Sequence, residues 1–209
     1  MNKKGILTII SGFSGAGKGT LVKELVKKYD YKLSISATTR SPRQGEEHGR
    51  EYFFLTRDEF ESMIEDNQLL EWAEYVGNYY GTPKAYVEEQ LELGNHVILE
   101  IEIQGALKVK EQCQDALLLF VTPPSAQVLK ERLIGRGTES VDTINKRLSR
   151  ACEEALYMRD YDYIIVNDEL SECVEETNAI IENERNRTER RQDFIQSITE
   201  ELKVFQEGE

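Results

Sequence analysis

The sequence contains few of the side chains that carry redox or nucleophilic chemistry. Three cysteines occur among 209 residues, widely separated at Cys113, Cys152 and Cys173. This spacing indicates small buried thiols in a reducing compartment and points to neither a disulfide nor a metal site. The two histidines, His48 and His96, stand alone, and the chain shows no Ser-His-Asp or Cys-His set. We therefore expect a cytoplasmic protein whose chemistry does not rest on a nucleophile–histidine pair.

Long apolar runs and an excess of positive charge are also missing. No stretch of about 18 apolar residues occurs, so we expect no membrane span. Residues 1–5 lead directly into a strand-like run, without the apolar region of a signal peptide. Against 39 acidic residues the chain carries 26 Lys and Arg, a net charge of −13. Because nucleic-acid phosphates would be repelled, we expect no nucleic-acid partner and no membrane partner.

The arginines that are present form two local groups. One group holds Arg40, Arg43 and Arg50, and the other holds Arg132, Arg136, Arg147 and Arg150. Local arginine groups in an acidic chain suggest sites for small anions. For any single arginine, ordinary solvated surface charge is the alternative.

A glycine-rich segment, Gly12-Phe13-Ser14-Gly15-Ala16-Gly17-Lys18-Gly19-Thr20, follows the apolar run 6–11 and precedes a helical pattern. Strand, glycine-rich loop and helix form the context of a phosphate-binding P-loop. Glycines allow backbone N–H groups to converge on phosphate oxygens, and Lys18 adds a full positive charge. Gly19 stands where a hydroxyl residue is usual, and the hydroxyl follows at Thr20. The alternative is a glycine-rich turn that binds nothing, but the flanking elements favour nucleotide binding.

Apolar runs alternate with helical patterns along most of the chain. The predicted strands are 6–11, 97–103, 117–121 and 163–166, with a weaker one at 33–36. The predicted helices are 20–28, 83–93, 105–112, 125–133 and 141–157. This alternation predicts an α/β fold with a parallel sheet flanked by helices, whose ligands bind at the carboxyl ends of the strands.

Two stretches interrupt the alternation. Residues 37–82 hold short aromatic strand-like pieces and predict an inserted lobe with its own small sheet. Residues 124–154 begin at two prolines, carry the second arginine group and predict a helical flap. The remaining segments, 1–36, 83–123 and 155–209, form the predicted core of a single domain. In the helical tail, apolar residues at helical spacing are expected to pack on this core rather than on a partner; they are Phe194, Ile195, Ile198, Leu202 and Phe205.

Several further motifs complete a recognisable pattern. They are TTRSPRQGE at 38–46, HGREYFF at 48–54, GNYYGT at 77–82, GRG at 135–137 and IVND at 165–168. Together with the P-loop, they resemble guanylate kinases, chiefly the bacterial type. The resemblance runs from about residue 5 to the C-terminus, in order and with family-like spacing.

The resemblance implies a core, a GMP-binding lobe at 37–82 and a lid at 124–154. It implies phosphorylation of GMP and dGMP by ATP, with Mg²⁺ held through the phosphates and Thr20 as a candidate ligand. The implied ATP site comprises Gly12, Ser14, Gly15, Ala16, Gly17, Lys18, Gly19, Thr20, Arg132, Arg136 and Asn167. The implied GMP site comprises Ser36, Arg40, Arg43, Tyr52, Glu71, Tyr80, Thr82 and Glu100. The implied catalytic residues are Lys18, Arg40, Arg136 and Arg147; a homo-oligomer is left open.

The residue types at these positions suit that chemistry. A carboxylate accepts the N1–H and the N2 amine of guanine together, and Glu71 and Glu100 are the two candidates. Adenine lacks the N2 amine and would leave such a buried carboxylate unpaired. Arg40 and Arg43 offer planar two-donor forks to a phosphate. The acceptor phosphate is already anionic, with a second pKa of about 6, so positioning and charge stabilisation replace a general base.

Some positions depart from the commonest family pattern. Phe13 stands where proline is frequent, Glu100 and Glu102 replace aspartates, and Gly19 puts a direct metal role of the P-loop hydroxyl in doubt. A catalytically silent guanylate-kinase-like binding module and a P-loop kinase for another monophosphate are the alternatives. A GTPase is disfavoured, since the chain has no Asn-Lys-x-Asp segment. For Glu71 the alternative is a solvent-facing strand position, and for the tyrosines it is packing within the small lobe.

Overall fold

The computed structural model describes residues 4–75, 77–135 and 140–205. Its strands are β1 (Leu7–Gly12), β2 (Lys32–Leu33), β3 (Ala37–Thr38), β4 (Phe53–Phe54), β5 (Leu69–Tyr75), β6 (Asn78–Pro83), β7 (Val97–Glu100), β8 (Leu117–Thr122) and β9 (Tyr163–Val166). Its α-helices are α1 (Lys18–Lys28), α2 (Arg57–Glu65), α3 (Lys84–Glu92), α4 (Ile103–Gln112), α5 (Ala126–Gly135), α6 (Val141–Glu154), α7 (Leu170–Glu184) and α8 (Gln192–Lys203). Two 3-10 helices cover Ala155–Asp160 and Thr188–Arg191.

Five parallel strands form the main sheet, in the order β2-β7-β1-β8-β9. At its centre, Ile9 of β1 pairs with Leu99 of β7 and Leu118 of β8, and all three side chains are buried. Strands that are apolar on both faces belong to a sheet covered by helices on both sides. The α/β fold with a parallel sheet, predicted from the alternating pattern, is confirmed.

A second, mixed sheet of four strands has the order β4-β3-β6-β5. It is built from residues 37–83, and a small core of its own forms around Phe60 of α2, with Ala37, Leu69 and Tyr79. We did not predict α2. Its N-terminus is fixed by a capping box, in which Thr56 and Glu59 bond each other's backbone N–H groups.

Three predicted boundaries are wrong. The strand expected over 97–103 ends at Glu100, because the Ser11 hydroxyl donates to the Ile101 carbonyl oxygen at 2.8 Å and the chain then enters α4. The weak strand 33–36 is divided: Ser34 N–H still bonds the main sheet, whereas the Ser36 carbonyl accepts from Phe53 of the second sheet. The helix expected over 141–157 changes to a 3-10 helix at Ala155.

The tail departs most from expectation. Helix α7 covers the main sheet with Cys173, Val174 and Ile181, all buried. The apolar stripe of α8 and the residues after it does not join this core, since Phe194 is 58% exposed and Phe205 is 79% exposed. The predicted packing of that stripe on the core is therefore wrong. Within the described ranges, no helix is long and apolar enough to cross a membrane.

Candidate active site

The glycine-rich loop lies between β1 and α1, at the carboxyl edge of the main sheet. Gly12, Gly15 and Gly17 have φ of 144°, 94° and 91°, a region that side chains other than glycine rarely adopt. A Cβ on Gly12 would lie 2.0 Å from the Val121 carbonyl oxygen, so only glycine fits there. The predicted strand, glycine-rich loop and helix are all present, with backbone N–H groups available at the start of α1.

Three cationic or amide side chains contact the loop from outside it. Asn167, after β9, is buried and donates from Nδ2 to the Ala16 carbonyl at 2.8 Å. Arg147 of α6 donates from Nη1 to the Ser14 hydroxyl at 2.6 Å, and Arg132 of α5 approaches the Ala16 carbonyl at 3.5 Å. The resemblance implies that Arg132 and Asn167 belong to the ATP site and that Arg147 is catalytic, and the structure brings all three side chains to the P-loop.

Lys18, the first residue of α1, folds back over the loop. Its Nζ donates to the carbonyl oxygens of Gly12 at 2.7 Å and Phe13 at 3.1 Å. These bonds hold the ammonium at the mouth of the loop, where a bound phosphate would meet it.

A cleft of about 330 Å³ opens beside the loop. Its lining residues are Ser14, Gly15, Gly17, Lys18, Gly19, Thr20, Lys23 and Glu100. Glu100 ends β7, and a Cβ on Gly19 would lie 3.5 Å from its Oε1, so the carboxylate stands against the P-loop. Glu100 is exposed to solvent in the cleft, but the surrounding walls remove part of its hydration and this desolvation raises the pKa of its carboxyl. The positive charges of Lys18 and Lys23 act in the opposite direction. Sequence reasoning missed Lys23.

A second polar site lies in the hairpin of β5 and β6. Glu71 pairs with Thr82 across the two strands, and the Thr82 hydroxyl donates to Glu71 Oε1 at 2.8 Å. Glu71 is only 8% exposed, which excludes the solvent-facing alternative. Desolvation raises the pKa of its carboxyl, while the Thr82 bond and the Lys108 charge lower it.

Glycine makes room for this buried carboxylate. A Cβ on Gly105 of α4 would lie 2.9 Å from Glu71 Oε2. Close by, Lys108 Nζ donates to the Trp72 carbonyl at 3.0 Å, which fastens α4 to β5. Where α4 packs against β5, the structure therefore combines the buried carboxylate of Glu71, the space left by Gly105 and the positive charge of Lys108.

An arginine and tyrosine cluster occupies the same small lobe. The guanidinium of Arg40 lies 5.5 Å from the ring centroid of Tyr52, and the rings of Tyr52 and Tyr80 are 6.1 Å apart. Arg40 donates to both carboxylate oxygens of Glu46, at 3.1 and 2.9 Å. The structure brings these three predicted phosphate ligands together and adds Glu46, which sequence reasoning missed. Arg43 is exposed on the adjoining loop.

Comparison with known proteins settles which family has this arrangement. The sequence model of the family described as guanylate kinase matches residues 4–184. The chain belongs to the guanylate kinase family. A relative named guanylate kinase from Streptococcus thermophilus is 52% identical over 91% of this chain and 92% of its own length. Another, from Clostridioides difficile, is 50% identical over 96% of this chain and 98% of its own.

A solved member of the guanylate kinase family shares the fold. The crystal structure of guanylate kinase from Anaplasma phagocytophilum has a TM-score of 0.74 to this chain, with 30% identity and 90% of each chain covered. The resemblance stated from the motifs is thereby confirmed. Arg136, predicted as a catalytic and ATP-binding lid residue, lies outside the described residues, and its role stays a prediction.

Proposed function

We propose that this protein transfers the γ-phosphoryl group of ATP to GMP, giving ADP and GDP. The observation that carries the proposal is the Glu71–Thr82 pair, a buried carboxylate in a chain that also keeps an intact P-loop with Lys18. A binding module without catalysis has no need of the P-loop lysine. At the edge where guanine presents two N–H donors, adenine presents the N1 acceptor and a C–H, so an acceptor-only carboxylate placed at that edge does not suit AMP.

Guanine recognition in this proposal depends on the Glu71 oxygens. The carboxylate accepts the N1–H and the N2 amine, two charge-assisted hydrogen bonds that offset the cost of burying it. Thr82 donates to the other side of this carboxylate, and the proposal also assigns it to the base. Bound in the same orientation, adenine would face the carboxylate with its N1 acceptor and no N–H donor, and unpaired polar groups are costly in a buried site.

The phosphate of GMP is assigned to Arg40, Arg43, Tyr52, Tyr80 and Ser36. Arg40 is held by Glu46 with two hydrogen bonds and lies beside the ring of Tyr52, so its fork is oriented before the substrate arrives. Pre-orientation reduces the entropy that binding must overcome. The acceptor oxygen is already anionic, so these groups position it and no side chain removes a proton.

On the donor side, the residues of this chain stabilise charge. The backbone N–H groups of the P-loop and Lys18 hold the β- and γ-phosphates, while Arg132, Arg147 and the lid residue Arg136 balance charge on the transferred group. Mg²⁺, when bound with ATP, neutralises and aligns the phosphates. The Thr20 hydroxyl and the Glu100 carboxylate line the P-loop cleft together, and such oxygens suit this hard cation.

The proposal is tested by following ADP formation in a coupled assay with GMP, dGMP, AMP, UMP and CMP as acceptors. We expect turnover with GMP and dGMP and little with the others. Lys18→Ala should remove turnover, whereas Lys27→Ala, an exposed lysine at the other end of the same helix, should not. Preference for AMP contradicts the assignment of Glu71, and GMP binding without turnover favours the silent binding module.

A further inference from the structure

One carboxylate ties together the loop that carries both arginines of the GMP-phosphate site. Residues 39–52 connect β3 to β4 and contain no helix and no strand. Within them, both oxygens of Glu46 accept from Arg40 Nη2, and Oε2 also accepts from the Arg43 backbone N–H at 2.8 Å. The Glu46 N–H donates back to the Arg43 carbonyl at 3.1 Å. A turn at 43–46 is therefore closed by backbone and side chain together, and the same side chain holds Arg40.

The guanidinium of Arg40 has little freedom in this arrangement. Nη2 donates to Glu46, and Nη1 donates to the Ser41 carbonyl at 2.7 Å. The ring centroids of Tyr52 and Phe54 lie 5.5 and 5.7 Å from its central carbon. Ordering a long arginine side chain during binding is unfavourable, because the side chain loses many rotamers. Glu46 therefore orders a side chain that GMP would otherwise have to order.

The pair of Arg40 and Glu46 differs from the next ion pair along the chain. The side chains of Arg40 and Glu46 are 16% and 18% exposed, whereas those of Arg50 and Glu47 are 53% and 70% exposed. Exposed pairs contribute little, because water and salt screen them. The Arg43 N–H and the Arg40 guanidinium also hold the pKa of Glu46 below its usual range, so this carboxylate is ionised at neutral pH.

A fixed negative charge beside a phosphate site has two opposite effects. Its charge repels the GMP phosphate, so by charge alone the loss of Glu46 would tighten GMP binding. Its hydrogen bonds orient the two arginines, so by geometry the loss of Glu46 would weaken GMP binding. Arginine recognises phosphate through a planar fork whose orientation matters, and three donor contacts fix the carboxylate that holds this fork. The geometric effect is therefore expected to be the larger one.

We propose that Glu46 is a positioning residue that sets both arginines of the GMP-phosphate site, Arg40 through its side chain and Arg43 through its backbone. It acts through these two residues and increases the affinity for GMP despite its negative charge. The inference rests on the proposed function, since that function assigns the GMP phosphate to Arg40 and Arg43.

The test measures kcat/KM for GMP and KM for ATP by coupled ADP formation. Glu46→Gln keeps a carbonyl that can accept from the Arg43 N–H, but it loses the charge and one acceptor for Arg40. We expect kcat/KM for GMP to fall by about tenfold or more, as the loss of a charged hydrogen bond implies, with KM for ATP unchanged. Glu46→Ala also releases the turn at Arg43 and should cause a larger fall. Glu47→Gln, which changes the adjacent exposed carboxylate, should leave both values as in the wild type.

A second background separates positioning of Arg40 from general support of the loop. In Arg40→Ala, Glu46 has no guanidinium to orient and only repels the phosphate. Adding Glu46→Gln to Arg40→Ala should therefore leave kcat/KM for GMP unchanged or raise it. A further tenfold fall in this background would show that the two residues act independently, and it would overturn the proposal.

Other outcomes also decide the matter. If the single variant Glu46→Gln equals or exceeds the wild type in kcat/KM for GMP, the charge effect dominates and the inference about Glu46 is wrong. The same conclusion follows if the fall in kcat/KM accompanies partial unfolding, detected as a melting transition that reaches the assay temperature. If the wild-type chain shows no turnover with GMP, the proposed function itself fails.

Discussion

Replacing Glu71 by glutamine is the sharpest test of base recognition, because it keeps size and shape and removes the charge. The Thr82 hydroxyl donates to Glu71 Oε1 at 2.8 Å. In Glu71→Gln, the amide carbonyl takes that position, since only it can accept from Thr82. The amide NH₂ then stands where Oε2 was, and two N–H donors face each other when guanine binds.

The expected loss follows from the hydrogen bonds involved. Bonds to charged groups contribute about 1.5–3 kcal/mol each, and one is lost outright while the other loses its charge. We expect the variant to lose about 3–5 kcal/mol of transition-state stabilisation with GMP. This loss corresponds to a decrease of roughly 10²–10⁴-fold in kcat/KM for GMP. The same NH₂ can donate to N1 of adenine, so kcat/KM for AMP should rise. The ratio of kcat/KM for GMP to kcat/KM for AMP should therefore decrease for two reasons.

The assay is coupled ADP formation with GMP and AMP at saturating ATP. Glu74→Gln is the matched control, because Glu74 lies on the same strand and is exposed. Burial raises the pKa of Glu71, so kcat/KM for GMP should decline in mild acid at a higher pH than an ordinary glutamate allows, and Glu71→Gln should remove this contribution and leave only the decline caused by protonation of the GMP phosphate. A fall of less than about threefold, or equal effects of the two variants, refutes the assignment of guanine to Glu71.

Three further perturbations test neighbouring features. Gly105→Ala places a Cβ 2.9 Å from Glu71 Oε2, so KM for GMP should rise by about tenfold while KM for ATP stays constant. Alanine favours a helix interior, so a drop in melting temperature would instead indicate general disruption. Phe60→Ala empties the core of the small lobe and should cost about 3 kcal/mol in urea unfolding; a loss below about 1 kcal/mol contradicts that packing. Burial and the nearby Arg185 lower the pKa of His96, whose Nδ1 accepts from Ile6 N–H. The unfolded chain therefore binds more protons, and the free energy of unfolding should decrease as pH falls below about 6.5, a dependence that His96→Asn should weaken.

Local signals explain which parts of the fold were predictable. The P-loop combines positive-φ glycines with a strand before it and a helix after it, all within residues 6–28, so each requirement is visible in the sequence. Helix α2 was missed although Phe60, Met63 and Ile64 fall at helical spacing, because this apolar pattern covers only five residues among strand-like aromatic pieces. The capping box at Thr56 and Glu59 was a second signal for it.

Contacts that depend on tertiary structure were not predictable in the same way. Glu46 is six residues from Arg40, and nothing in their spacing distinguishes a bidentate pair from two solvated charges. The apolar residues of α8 have core-like periodicity, yet Phe194 and Leu202 are exposed, because α7 already covers the sheet. Apolar periodicity predicts which face of a helix is apolar, but it does not predict whether another part of the protein is available to pack against that face.

The negative net charge of the whole chain is compatible with two polyanionic substrates, because the charges that affect binding are those within a few ångströms of the bound phosphates. At physiological ionic strength, charges farther apart than about 8 Å are largely screened, so a net charge of −13 has little effect inside the cleft. Near the P-loop the described basic groups are Lys18, Lys23, Arg132 and Arg147. Glu100 lines the same cleft, and desolvation raises the pKa of its carboxyl although Lys18 and Lys23 act in the opposite direction. At the separate site in the small lobe, the proposed function has guanine N–H groups donate to the buried carboxylate of Glu71, whose pKa is also raised by burial.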